Sequence, residues 1–114
     1  MKNEAIFEEL EVKLEALADD KAMQSEEGLV LLEQYKDALI AYLFEVNEKS
    51  VDVTQIEQLE YKPLNAAERI DFISANSFHF MRYQQMKTMR PEIKKLAAIK
   101  KIRDNRKAKK ESIK

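Results

Sequence analysis

Ser25-Glu26-Glu27-Gly28-Leu29-Val30-Leu31-Leu32-Glu33-Gln34-Tyr35-Lys36-Asp37-Ala38-Leu39-Ile40-Ala41-Tyr42-Leu43-Phe44-Glu45-Val46-Asn47-Glu48 is the stretch that decides the fold class. Its middle, Ala38–Phe44, is seven apolar residues without a break, and taken alone it could be a buried strand. The flanks decide for a helix. Leu29, Leu32, Leu39, Leu43 and Val46, with Tyr35 and Tyr42, recur at the helical period, and Ile40 and Phe44 widen the stripe. Ser25 offers an N-cap oxygen, and Glu26 and Glu27 fall in the first turn, where the helix dipole favours negative charge. A stripe this broad needs two neighbours, so a helix from about Ser25 to Glu48 should be the central element of a bundle.

On its N-terminal side, residues 4–18 read as an amphipathic helix. Ile6, Phe7, Leu10, Leu14 and Leu17 form its stripe, and Asn3 is placed to cap it. Asp19–Gln24 is a polar break. On the C-terminal side, residues 49–64 carry Val51, Val53, Ile56 and Leu59 without a clear period and read as a long loop. An extended piece or a short helical turn near Gln55–Glu60 fits equally well. Asn65-Ala66-Ala67-Glu68 has the capping-box form, with Pro63 just outside it, so a helix should begin at Ala66 with Ile70, Phe72 and Ile73 on its apolar face. Ala75-Asn76-Ser77 weakens that helix, either as a kink or as the cap of a new one. Pro91 interrupts again, because it removes a backbone donor and crowds the preceding turn. Ile93, Leu96, Ile99 and Ile102 then give a thin stripe, and Asp104–Lys114 is expected to fray or be disordered.

Composition agrees with an all-α chain. One glycine and two prolines in 114 residues leave too few special backbone positions for a turn-rich β sandwich or barrel. The length suits one domain, here residues 1–103 followed by the basic tail 104–114. With no cysteine there is no disulfide, thiolate metal site or cysteine nucleophile. The seven-residue apolar run falls far short of the ~20 residues of a membrane span, and the first residues show no apolar leader segment. A cytoplasmic protein that does not enter a membrane is therefore expected. Charge is segregated. Residues 1–89 carry 18 acidic and 9 basic side chains, net −9, and residues 90–114 carry 11 basic and 3 acidic, net +8. Segregation of this kind attracts partners and also the two parts of the chain to each other.

The chemistry-bearing residues are few. Glu4, Glu8, Glu11 and Glu15 share a helix face, but their spacing is that of a solvated polar face, and one histidine, His79, is too little for a metal site. No cofactor is implied, since a single glycine cannot make a phosphate-cradling loop. None of the serines reads as a nucleophile on a strained strand-to-helix elbow, so catalysis is disfavoured, the weak alternative being an enzyme centred on His79 with Arg82 and Glu68. The basic tail is the sharper candidate. Lys94, Lys95, Lys100, Lys101, Arg103, Arg106, Lys107, Lys109 and Lys110 could hold DNA or RNA through phosphates, without base stacking because no aromatic is interleaved. The same residues are also the expected solvated end of a helix. Phe78, Phe80, Met81, Tyr83, Met86 and Met89 are more often core, yet Phe78, His79, Arg82, Tyr83 and Met86 could form a partner-binding surface.

Pro63-Leu64-Asn65-Ala66-Ala67-Glu68-Arg69-Ile70-Asp71-Phe72-Ile73, followed by Phe78-His79-Phe80-Met81-Arg82-Tyr83-Gln84-Gln85-Met86, resembles the YpoC-like family of low-GC Gram-positive bacteria, and the likeness extends loosely over residues 25–103. The resemblance implies no established activity and no agreed functional residues. Genes of that family often sit near replication and repair genes, which favours the nucleic-acid idea. Arg69 in this segment is free to pair with a carboxylate of a neighbouring helix. The combined reading is an antiparallel bundle of three to five helices with a basic C-terminal extension, helical or disordered. Its expected function is that of a non-enzymatic binding or adaptor protein, working with a protein partner or as a homo-oligomer. The alternative is a sequence-nonspecific nucleic-acid binder.

Overall fold

The computed structural model describes residues 2–75 and 77–112. Four α-helices run in the order α1 (Lys2–Asp19), α2 (Glu26–Val46), α3 (Ala66–Ser74) and α4 (His79–Ser112), with a 3-10 turn at Val53–Gln58 between α2 and α3. No strand occurs among the described residues. Asn76, the side chain of Asn3 and the last two residues lie outside the description.

α2 is central, as its broad stripe predicts. Leu32, Tyr35, Leu39, Leu43 and Phe44 are all buried, and α1 and α4 pack on it from two sides. Ser25 caps it by accepting a hydrogen bond from the Gly28 amide at 3.2 Å. α1 returns antiparallel to α2, with Phe7 against Tyr35 and Tyr42. Ile6 does not join the α1 stripe and is half exposed, because Phe7, Leu10 and Leu14 set a face that leaves position 6 outside. α4 is antiparallel to α1 and to α3, but it runs parallel to α2: Glu33 pairs near the start of α4 with Arg82, and Glu48 near its end with Lys100. The crossover that makes this parallel pair is residues 47–78. It is held to the body by buried Ile56, Leu59 and Tyr61 and by Asn47, whose side chain bonds both the carbonyl (2.8 Å) and the amide (2.9 Å) of Tyr61.

Turns without glycine end the first two helices. Lys21 and Glu48 both sit at φ 55, in the left-handed region. The Ala22 amide reaches back to Leu17, and the Lys49 amide to Phe44, the six-to-one bond of a Schellman motif in each case. The capping box at Asn65 does not form. α3 does begin at Ala66, but Asn65 adopts φ 57 and ψ 35, which turns its side chain away from the helix amides, and it makes no cap bond. Pro91 does not interrupt α4. The helix carries the missing bond because buried Met89 and Ile93 fix the backbone on either side of it. The loss of apolar positions after Ile102 predicts fraying, yet α4 continues to Ser112 through Lys, Arg and Ala, which are strong helix formers. Lys100 and Asp104 add a pair one turn apart at 2.8 Å.

A helix of 34 residues is ~51 Å long. The molecule measures 60 × 27 × 20 Å, so α4 sets its long axis. Every residue from Lys101 to Lys107 is exposed. The end of α4 is therefore an arm projecting past the C-terminal end of α2.

Candidate binding surfaces

The acidic row of α1 is only partly a solvated face. Glu4, Glu11 and Glu15 point at α4 and meet Lys94 (2.7 Å), Arg90 (2.7 Å) and Lys87 (3.1 Å) in antiparallel register, while Glu8 is exposed. Two tyrosines complete this seam: Tyr35 donates to Glu11 and Tyr83 to Glu15, each at 2.7 Å. The Tyr83 hydroxyl and the Lys87 ammonium together hold the Glu15 carboxyl below its ordinary range. Burial, with the carboxylate as acceptor, pushes both tyrosine hydroxyls upward, so they remain donors at any physiological pH. Arg90 also lies over the Phe7 ring, 5.2 Å from its centre.

On the other side of α4, Arg69 finds the carboxylate expected of it. Its guanidinium grips Glu92 with two bonds (2.6 and 3.0 Å) and Gln85 with a third (2.9 Å), and this lowers the Glu92 carboxyl. Arg82 is buried: it donates to the Ile73 carbonyl at 2.9 Å and lies 3.4 Å from both His79 Nδ1 and Glu33. Arg82 thus joins the end of α3 to α2. No hydrogen bond or ion pair connects exposed Glu68 to either His79 or Arg82, and among the described residues no group of three His, Asp or Glu side chains is placed to hold a metal ion.

The basic candidates divide into two sets. Lys94 is paired with Glu4, Lys100 lies between Glu48 and Asp104, and Arg103 stacks over the Tyr61 ring at 5.7 Å. These three are committed to the body. Lys95, Lys101, Arg106 and Lys107 are exposed and form no ion pair among the described residues, although Lys95 lies close enough to Glu92 to help lower its carboxyl. The side chains of Lys109 and Lys110 lie outside the description.

The proposed partner-binding set divides as well. Tyr83 and Met86 are core and Arg82 is a buried brace, so these three cannot present a surface. The period explains it: Tyr83, Met86, Met89 and Ile93 form the stripe of α4 that faces α2. Phe78 stays outside at 67% exposure, joined by Phe80 (52%) and Met81 (55%). Phe80 and Met81 fall off that stripe, which is the sequence signal that would have placed them on the surface. Phe78 is also held at φ 51, a backbone region that costs an aromatic residue energy. Beside these residues, Ala18, Lys21, Met23, Gln24, His79 and Phe80 line an open depression of about 510 Å³. This aromatic corner and the basic arm lie at opposite ends of α4.

The fold and its surfaces define an all-α bundle with one long projecting helix. The YpoC-like protein family model matches residues 2–105, and the chain belongs to that family. No curated protein and no solved structure matches it. Among the described residues no helix is long and apolar enough to cross a membrane.

Proposed function

We propose that the chain is a non-enzymatic adaptor that docks a protein partner on the aromatic corner at the start of α4. The observation that carries this reading is Phe78: a large apolar side chain, two-thirds in water, kept in a strained backbone conformation beside exposed Phe80 and Met81. Stability alone favours glycine at such a φ and a polar residue at such an exposure. Adjacent exposed aromatic and methionine side chains are the usual anchors of protein interfaces. The test is photo-crosslinking in the native host, with the crosslinker at position 80 and, separately, at exposed Val12. A discrete product from position 80, absent from position 12 and removed by Phe78→Ser with Met81→Ser, supports docking. No discrete product, or the same product from both positions, refutes it.

A second reading has its own observation, the exposed Lys95, Lys101, Arg106 and Lys107, none of which forms an ion pair among the described residues. Nucleic-acid binding through them predicts a steep loss of affinity with salt, and a shallower salt slope when all four are changed to Gln in the full chain. Anisotropy titration of labelled single-stranded and duplex DNA and RNA measures both. Binding that vanishes before physiological salt removes this reading.

A further inference from the structure

The outer face of the α4 arm is patterned. Lys95, Ala98, Ile99, Ile102 and Arg106 recur at i, i+3, i+4, i+7 and i+11, which places them on one stripe of a helix. All five are exposed, with Ile99 at 45% and Ile102 at 53%. The stripe points away from buried Met89 and Ile93, and no element among the described residues covers it. Its centre is apolar and each end carries an exposed cation that forms no ion pair among the described residues, Glu92 beside Lys95 being held by Arg69.

We propose that this stripe docks one acidic amphipathic helix of a protein partner, with aliphatic residues against Ile99 and Ile102 and carboxylates against Lys95 and Arg106. Charge selects this occupant. A second copy of the arm would bring Lys95 onto Lys95 in a parallel pair and Lys95 onto Arg106 in an antiparallel pair, so both arrangements oppose like charges. A phosphate backbone would engage the two cations but gains nothing from the isoleucines that separate them. The two cations stand eleven residues apart, about 16 Å along the axis, so the partner's carboxylates need the same separation. This surface is separate from the aromatic corner, and either can fail without the other.

A synthetic helical peptide with leucines on one seam and glutamates eleven residues apart at its ends is the probe, and the same peptide with lysines at those ends is its control. Full-length protein is titrated by fluorescence anisotropy at near-physiological salt. The glutamate peptide should bind and the lysine peptide should not. Ile99→Ser with Ile102→Ser should weaken binding about tenfold or more. Lys95→Glu with Arg106→Glu should exchange the preference, gaining the lysine peptide and losing the glutamate one. All four positions are exposed, so the variants should keep the wild-type melting temperature, and Phe80→Ser should leave peptide affinity unchanged. The proposal is overturned by equal binding of both peptides, by affinity indifferent to the isoleucines, by an Ile102-dependent dimer in sedimentation, or by duplex DNA outcompeting the peptide at near-physiological salt.

Discussion

The only glycine is predicted to be a steric necessity. Gly28 lies in the first turn of α2, where alanine would ordinarily stabilise the helix by ~1 kcal/mol. Here a Cβ would stand 2.0 Å from the Met23 carbonyl oxygen and 2.6 Å from its carbon, against a usual separation of about 3.5 Å between non-bonded heavy atoms. The loop would have to retreat by more than an ångström. It is held on both sides, by the Met23 side chain in the core and by the Ala22 amide on the Leu17 carbonyl at 2.7 Å. Gly28 also donates the amide that Ser25 caps, so the same shift strains a bond worth ~1 kcal/mol. Overpacking of this kind costs ~1–3 kcal/mol. With the propensity gain and the cap loss offsetting each other, Gly28→Ala should lose ~1–3 kcal/mol, a fall of roughly 4–12 °C in Tm for a domain of this size. Thermal and urea unfolding followed by circular dichroism measures it, with an unchanged urea slope. Val30→Ala, exposed on the same helix, is the control and should hold or raise the Tm. A Gly28→Ala protein that melts at or above the wild-type temperature would refute the steric argument.

Lys21→Gly should raise stability by ~0.5–1 kcal/mol, because it is a left-handed helix end where glycine carries no Cβ penalty, and Glu48→Gly should gain less because it also removes the Glu48–Lys100 pair; denaturant midpoints check both. Asn65→Gly should be neutral or stabilising and Asn65→Ala should cost ~1 kcal/mol, whereas a formed capping box would make both substitutions destabilising. Phe78→Gly should stabilise the protein by ~1 kcal/mol while abolishing the position-80 crosslink, and a destabilised variant would argue against backbone strain there. The carboxyls of Glu15 and Glu92 are lowered in the folded state by Tyr83 with Lys87 and by Arg69. A lowered folded pKa stabilises above the unfolded value of 4.5 and the stabilisation is lost as pH falls through the folded value, so acid melting should begin below 4.5. Arg69→Met should therefore show a smaller loss of Tm than wild type between neutral pH and about 3.5.

What the sequence disclosed was whatever a period or a polar cap residue marks. The α2 stripe and the Ser25 cap follow from spacing, and a single broad stripe placed α2 at the centre; α3 does start at Ala66, but not through the capping box that predicts that start. The turns were opaque because no glycine marks them: Lys21, Glu48, Asn65 and Phe78 all take positive φ without it. Pro91 read as a break because local propensity knows nothing of Met89 and Ile93 buried beside it. The binding set failed on phase. Tyr83 and Met86 are as apolar as Phe80 and Met81, and only their register with Met89 and Ile93 separates core from surface. The glutamates of α1 looked solvated because their partners lie more than seventy residues away in sequence.

Those distant partners change the meaning of the charge segregation. A net −9 followed by +8 suggests a chain built to attract something else. Much of that attraction is satisfied inside the molecule, where Glu4, Glu11 and Glu15 meet Lys94, Arg90 and Lys87, and Lys100 reaches Glu48. α1 and α4 approach chiefly through these long side chains, so the opposed charges draw the two helices together. The segregation is therefore first a folding device. Only the cations left over from that pairing, on the outer face of the arm, remain available to a partner. Because two isoleucines lie between Lys95 and Arg106, those cations favour an acidic amphipathic helix over a bare polyanion.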